Sequence, residues 1–124
     1  MNRKQQLAKE ATEFWKEKCL EKWGDKDIIN GEPASTFHHF IPKSKSTLLR
    51  YDVMNGVPVS LKHHYILHFS KNPDEVYQII KKIREIRGKE WCDYIDAKKK
   101  KRFEGNLTIK WLEKCIQTLK DLEG

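Results

Sequence analysis

All five histidines of the chain fall between positions 38 and 68, in an order that few folds accommodate. His38 and His39 are adjacent in a short aromatic run, residues 37–41, that ends at Pro42 and reads as a strand. Asn55-Gly56 is a strong turn signal. Residues 57–60 read as a second short strand, and Pro58, which lacks an N–H, places that strand at a sheet edge. Residues 61–69 fit a short helix with His64 and His68 one turn apart. A chain that gathers these histidines must therefore run strand, loop, strand, helix.

The spacing has chemical consequences. Neighbouring side chains on a strand point to opposite faces, so His38 and His39 do not both aim at one ion. One is free to bind a metal while the other faces an attacking water. His64 and His68 share a helix face and are able to chelate the same ion. Three imidazoles with open positions beside them suit a phosphate oxygen. A histidine near its ordinary pKa of about 6.5 suits a general base, and a divalent ion suits charge stabilisation at phosphorus. His63 reads as a bystander, or as the replacement for His64 if the register shifts by one.

The rest of the chain reads as helix. Leu7, Ala11, Phe14, Trp15 and Trp23 recur at helical spacing over about residues 3–23, with Gly24-Asp25 as the stop. Asn30-Gly31 and Pro33 mark a loop or hairpin turn. Asn72, Pro73, Asp74 and Glu75 form a helix start, and Gly88 a stop. A further short helix surrounds Trp91, Tyr94 and Ile95, and a last amphipathic one runs from Ile109 to Leu122. The expected fold class is α+β in a single domain, residues 1–124. It comprises an N-terminal helix (1–24), a short β-hairpin and helix (36–70), and C-terminal helices (73–122).

The 124 residues carry a formal charge of +7, which biases a small domain toward polyanions, most often nucleic acid. No apolar run approaches the roughly 20 residues of a membrane span, so no membrane partner and a cytoplasmic location are expected. Cys19, Cys92 and Cys115 are odd in number and contain no CxxC pair, which argues against disulfides and a cysteine zinc site. The four tryptophans lie on apolar stripes and read as core.

The order His38-His39, Asn55, His64 and His68 resembles the HNH, or ββα-metal, endonuclease motif. The resemblance implies that His39 is the general base and that His38, His64 and His68 are ligands of one divalent ion. It also implies that Asn55 holds the base imidazole by a hydrogen bond. Magnesium, manganese, nickel and zinc are all candidates, and a three-histidine site favours a borderline transition metal over magnesium. More closely, Phe37-His38-His39-Phe40, Leu49-Arg50-Tyr51-Asp52, Asn55-Gly56-Val57, Glu75-Val76-Tyr77 and Thr108-Ile109 resemble the phage NinG/Rap recombination family. That family implies structure-selective cleavage of branched DNA, including Holliday junctions, in a phage or bacterial setting. Its members usually carry two cysteine pairs on a structural zinc. Here Ser60 and His63 stand in the region of one pair, and Lys22-Trp23-Gly24-Asp25 in that of the other. No structural zinc is expected, and packing by Phe14, Trp15 and Trp23 is the expected substitute.

Lys43, Lys45 and Arg50, between the motif histidines and Asn55, are placed to meet phosphates. The run Lys98, Lys99, Lys100, Lys101 and Arg102 is a candidate grip on the DNA backbone, or else a solvated helix end. The expected function is a metal-dependent DNA endonuclease leaving 5′-phosphate and 3′-hydroxyl ends. The competing reading is a non-catalytic nucleic-acid-binding or regulatory protein that retains the fold. The presence of both His39 and Asn55 argues against it. A homodimer is compatible with the sequence but not required by it.

Overall fold

The computed structural model describes residues 1–101, 103 and 108–122. Its elements are helix α1 (Arg3–Trp23), strand β1 (Thr36–His39), a 3-10 turn (Val53–Asn55), strand β2 (Gly56–Val59) and helices α2 (Leu61–Phe69), α3 (Pro73–Arg87), α4 (Lys89–Lys100) and α5 (Ile109–Asp121). The chain is α+β: the described residues form one antiparallel hairpin among five helices.

Local chemistry sets the helix ends. Asn2 and Gln5 form a reciprocal capping box at the start of α1. The Ser60 hydroxyl accepts from His63 N to open α2, and Asn72 accepts from Asp74 N and Glu75 N to open α3 at Pro73. Gly24 and Gly88 end α1 and α3 at φ of 82° and 88°, a region that favours glycine.

The hairpin register pairs Thr36 with Val59, Phe37 with Pro58, His38 with Val57 and His39 with Gly56. Strand β1 thus begins and ends earlier than the aromatic run suggested: Phe40 N still donates to Asn55 O, but Asn55 N donates to Asp52 O within the 3-10 turn and does not return the bond to Phe40. Asn55-Gly56 is not the hairpin turn that its sequence advertises. The connection is the long loop 40–52, and Gly56 is extended, at φ −87° and ψ 131°. Its lack of a side chain serves packing instead: a Cβ there would meet Cys19 Sγ at 2.4 Å and Trp15 at 3.2 Å.

Two apolar clusters hold these elements. One joins Leu7, Ala11, Trp15 and Cys19 of α1 to Leu112, Ile116 and Leu119 of α5, with Tyr51 and Val53. The other packs Val57 and Val59 of β2 with Phe40, Ile41, Leu49, Ile79, Ile83, Trp91 and Ile95. Three indoles tie both clusters to one stretch of backbone. Trp15, Trp23 and Trp91 donate from Nε1 to the carbonyls of Asp52 (2.8 Å), Val53 (2.9 Å) and Met54 (2.7 Å). A buried indole N–H needs a partner, and these three fix three consecutive residues just before Asn55. Trp15 and Trp91 are buried as expected, and Trp23 and Trp111 are half-buried.

Candidate metal centre and base

The hairpin and α2 bring three of the sequence-marked histidines together. His38 projects from β1, and His64 and His68 from one face of α2. Each offers a ring nitrogen, and the three nitrogens lie within 4.8 Å of one another. The His38 ring is edge-on to both others, with centroids 5.8 Å from His64 and 4.9 Å from His68. An ion with nitrogen ligands at about 2.0–2.1 Å in tetrahedral geometry needs nitrogens roughly 3.4 Å apart, so the set would have to draw in around a bound ion. His38 Nδ1 is buried without a hydrogen-bond partner, an unmet valence that fits a cation at this place. Burial, with the nearby His68, His64 and His39, holds His38 down at about 3. Burial, His68 and Lys16 also lower His64. Their lone pairs are therefore open to a metal at neutral pH.

His39 points the other way from the strand, as alternation requires. Its ring stacks on Trp15 with centroids 4.0 Å apart and planes 10° apart. Its Nε2 lies 2.9 Å from the Arg50 carbonyl. A carbonyl only accepts, so the neutral ring carries its proton on Nε2 and keeps a lone pair on Nδ1. Burial pulls His39 down to about 4 against the raising effect of the Arg50 bond, with Lys43, Arg50 and Lys16 adding to the depression. A phosphate drawn into the site would offset those charges.

Asn55 does not touch this imidazole. Its side chain is fully buried, accepting from Ile41 N (2.8 Å) and donating to Ile41 O (3.0 Å) and Leu49 O (3.2 Å). The expected Asn55–His39 hydrogen bond is thus corrected: the Arg50 carbonyl takes that place. Asn55 instead fastens Leu49, the residue before Arg50, whose carbonyl meets His39. Sequence order alone does not distinguish the two arrangements, since both need an amide near the end of the loop. Trp15 as the platform under His39 carried no signal at all, because its place on an apolar stripe reads as core.

His63 faces away from the cluster. Its Nδ1 lies 2.7 Å from Asp27 Oδ2, in a buried pair. Asp27 also accepts from Ser60 N (2.6 Å), Ile29 N (2.8 Å) and Asn30 N (3.1 Å). Burial would raise this carboxyl, yet the hydrogen bonds from Ser60, His63, Ile29 and Asn30 together bring it to about 2. The shifted register, with His63 in place of His64, does not occur. Ser60 and His63 instead fasten the start of α2 to the 27–30 turn, a polar link beside the apolar packing of Trp23.

A cleft of about 670 Å³ joins the histidines. Thr12 and Lys16 of α1, Lys43 of the loop and Val76, Ile80 and Ile83 of α3 complete its walls. A second cavity of about 700 Å³ contains no histidine and shares no lining residue with it. Chemistry, not volume, singles out the cleft. Of the expected DNA contacts, Lys43 lines it and Lys45 is exposed nearby in sequence. The Arg50 Nε is buried without a partner, and its guanidinium lies 5.5 Å from the Tyr51 ring. Lys98 is engaged with Asp52 at 2.6 Å and lines the other cavity, so it is not placed beside the histidines. Lys99, Lys100 and Lys101 are exposed, and Arg102 lies outside the described residues. Cys19, Cys92 and Cys115 are free thiols. No described helix is long and apolar enough to cross a membrane.

Comparison with protein-family models, with curated proteins and with solved structures finds no match for this chain.

Proposed function

We propose that the chain is a metal-dependent DNA endonuclease of the HNH, or ββα-metal, kind, hydrolysing phosphodiester bonds to 5′-phosphate and 3′-hydroxyl ends. The observation that carries this reading is the juxtaposition of two differently held sets of imidazoles: His38, His64 and His68 facing one another, and His39 beside them with one nitrogen tied to a carbonyl. A purely structural metal site has no use for the second. The hairpin-then-helix order that positions both sets supports the same reading.

In this reading His38, His64 and His68 would hold one divalent ion, which would supply charge stabilisation to the phosphate and to the leaving oxygen. His39 takes the proton of the attacking water on Nδ1, while the Arg50 carbonyl and the Trp15 ring fix the imidazole plane. The water oxygen bonds to phosphorus, the bond to the 3′ oxygen breaks, and that oxygen is protonated from solvent. Lys16 and Lys43 at the cleft attract the backbone. Borderline transition metals suit three nitrogen ligands better than magnesium. The branched-DNA substrate and the recombination role belong to the family resemblance.

The test is nicking of supercoiled DNA with magnesium, manganese, nickel or zinc, and after chelation. Cleavage with at least one metal, lost on chelation, is expected. A pure preparation inactive with every metal would end the enzyme reading.

A further inference from the structure

Helix α2 has a second face that the nuclease chemistry does not use. Leu61, Tyr65 and Phe69 recur every four residues, each one position after Ser60, His64 or His68, so their stripe is turned about 100° around the helix from the imidazoles. They are 72%, 63% and 67% exposed. The Tyr65 and Phe69 rings lie 5.2 Å apart, and the Phe69 ring is 6.0 Å from that of His68. The fold does not call for them: α2 buries His63 and packs Ile66 and Leu67 toward the core. A series of large apolar side chains left in water marks a contact surface.

Charge and ring chemistry indicate the occupant. Helix α2 carries no carboxylate, and Lys62 within it and Lys71 just beyond its end are both exposed. Two exposed cations and no carboxylate on the helix make this face attractive to a polyanion. Within a paired duplex each base face is covered by its neighbours. A flat side chain therefore stacks on a base that is unpaired or displaced. We propose that Tyr65 and Phe69 form a stacking platform for an unpaired nucleobase beside the histidine cluster, so that the favoured substrate is DNA with an unpaired base next to the scissile bond. The position relative to a cleaved bond rests on the nuclease reading; the stacking does not.

The test is binding in the presence of a chelator, using DNA that carries one 2-aminopurine either unpaired or within a paired duplex. Wild type should bind the unpaired probe roughly five-fold tighter or more, with quenching of its fluorescence. Tyr65→Ala and Phe69→Ala should each remove the preference and the quenching while affinity for the paired duplex stays unchanged. Tyr65→Trp and Phe69→Trp should retain both. Equal binding of the two probes by wild type, or alanine variants with the wild-type ratio, would overturn the platform. So would a wild-type dimer that the alanine variants convert to monomer with the base preference intact, which would make the stripe a contact between copies. Cleavage separates the two readings. Duplex cleavage without base preference removes the platform and leaves the nuclease. Base preference without cleavage in any metal does the reverse.

Discussion

Asn55 carries a carboxamide into a fully buried position where the donor and acceptor groups of Ile41, and the Leu49 carbonyl, depend on it. Removing one partner from buried hydrogen bonds costs about 1–3 kcal/mol for each group left unmet. Asn55→Ala should therefore lower unfolding stability by about 3 kcal/mol, read from urea denaturation. An unchanged midpoint would show that the loop does not depend on the amide. Asp27 gives a pH signature. Its carboxyl is held at about 2, below its ordinary 3.8, so its stabilisation is complete above pH 3.8 and fades as pH falls through about 2. Asp27→Asn should cost about 2 kcal/mol at neutral pH and flatten stability across that acid window. Equal acid sensitivity of the two proteins would contradict this. The grouping of His38, His64 and His68 was legible in the sequence because strand alternation and the helical turn fix which side chains share a face. The partners of Asn55 and the Trp15–His39 stack were not, because they depend on contacts across a long loop and between distant elements that no local period encodes.

At the scale of elements, the close approach of α1 to β2 sets where His39 sits. Gly56 allows Cys19 and Trp15 to pack directly on the strand opposite His39. Gly56→Ala puts a methyl 2.4 Å from Cys19 Sγ. An overpacked core of this kind loses about 1–3 kcal/mol, and Cys19→Ala in the same chain should restore part of it. Additive losses in the double variant would place the strain elsewhere. The helix limits were readable from Asn72-Pro73, Gly24 and Gly88, where capping chemistry is local. Asn55-Gly56 misled for a physical reason: glycine was needed for space and asparagine for a buried network, and the pair does not make the hairpin connection. In α2, His64→Ala and His68→Ala should each lower the bound metal per chain, measured by equilibrium dialysis with zinc. Unchanged stoichiometry in both would remove α2 from the centre.

For the whole molecule, net charge foretold a basic surface but not which face matters. Lys16 and Lys43 border the histidine cleft, whereas Lys98 is tied to Asp52 in a separate cavity. Lys43→Ala should weaken DNA binding and reduce its salt dependence, since each phosphate contact released lowers the slope by about one. Lys98→Ala should leave that slope alone, and the opposite ranking would move the DNA face to the second cavity. The proposed function rests on a division of labour between three metal-holding histidines and one base. It is tested most directly by cleavage and metal content measured side by side for wild type and His39→Ala, on supercoiled DNA with manganese. The variant should keep its metal and lose cleavage. A variant that cleaves like wild type, or one that loses its metal along with activity, would contradict it.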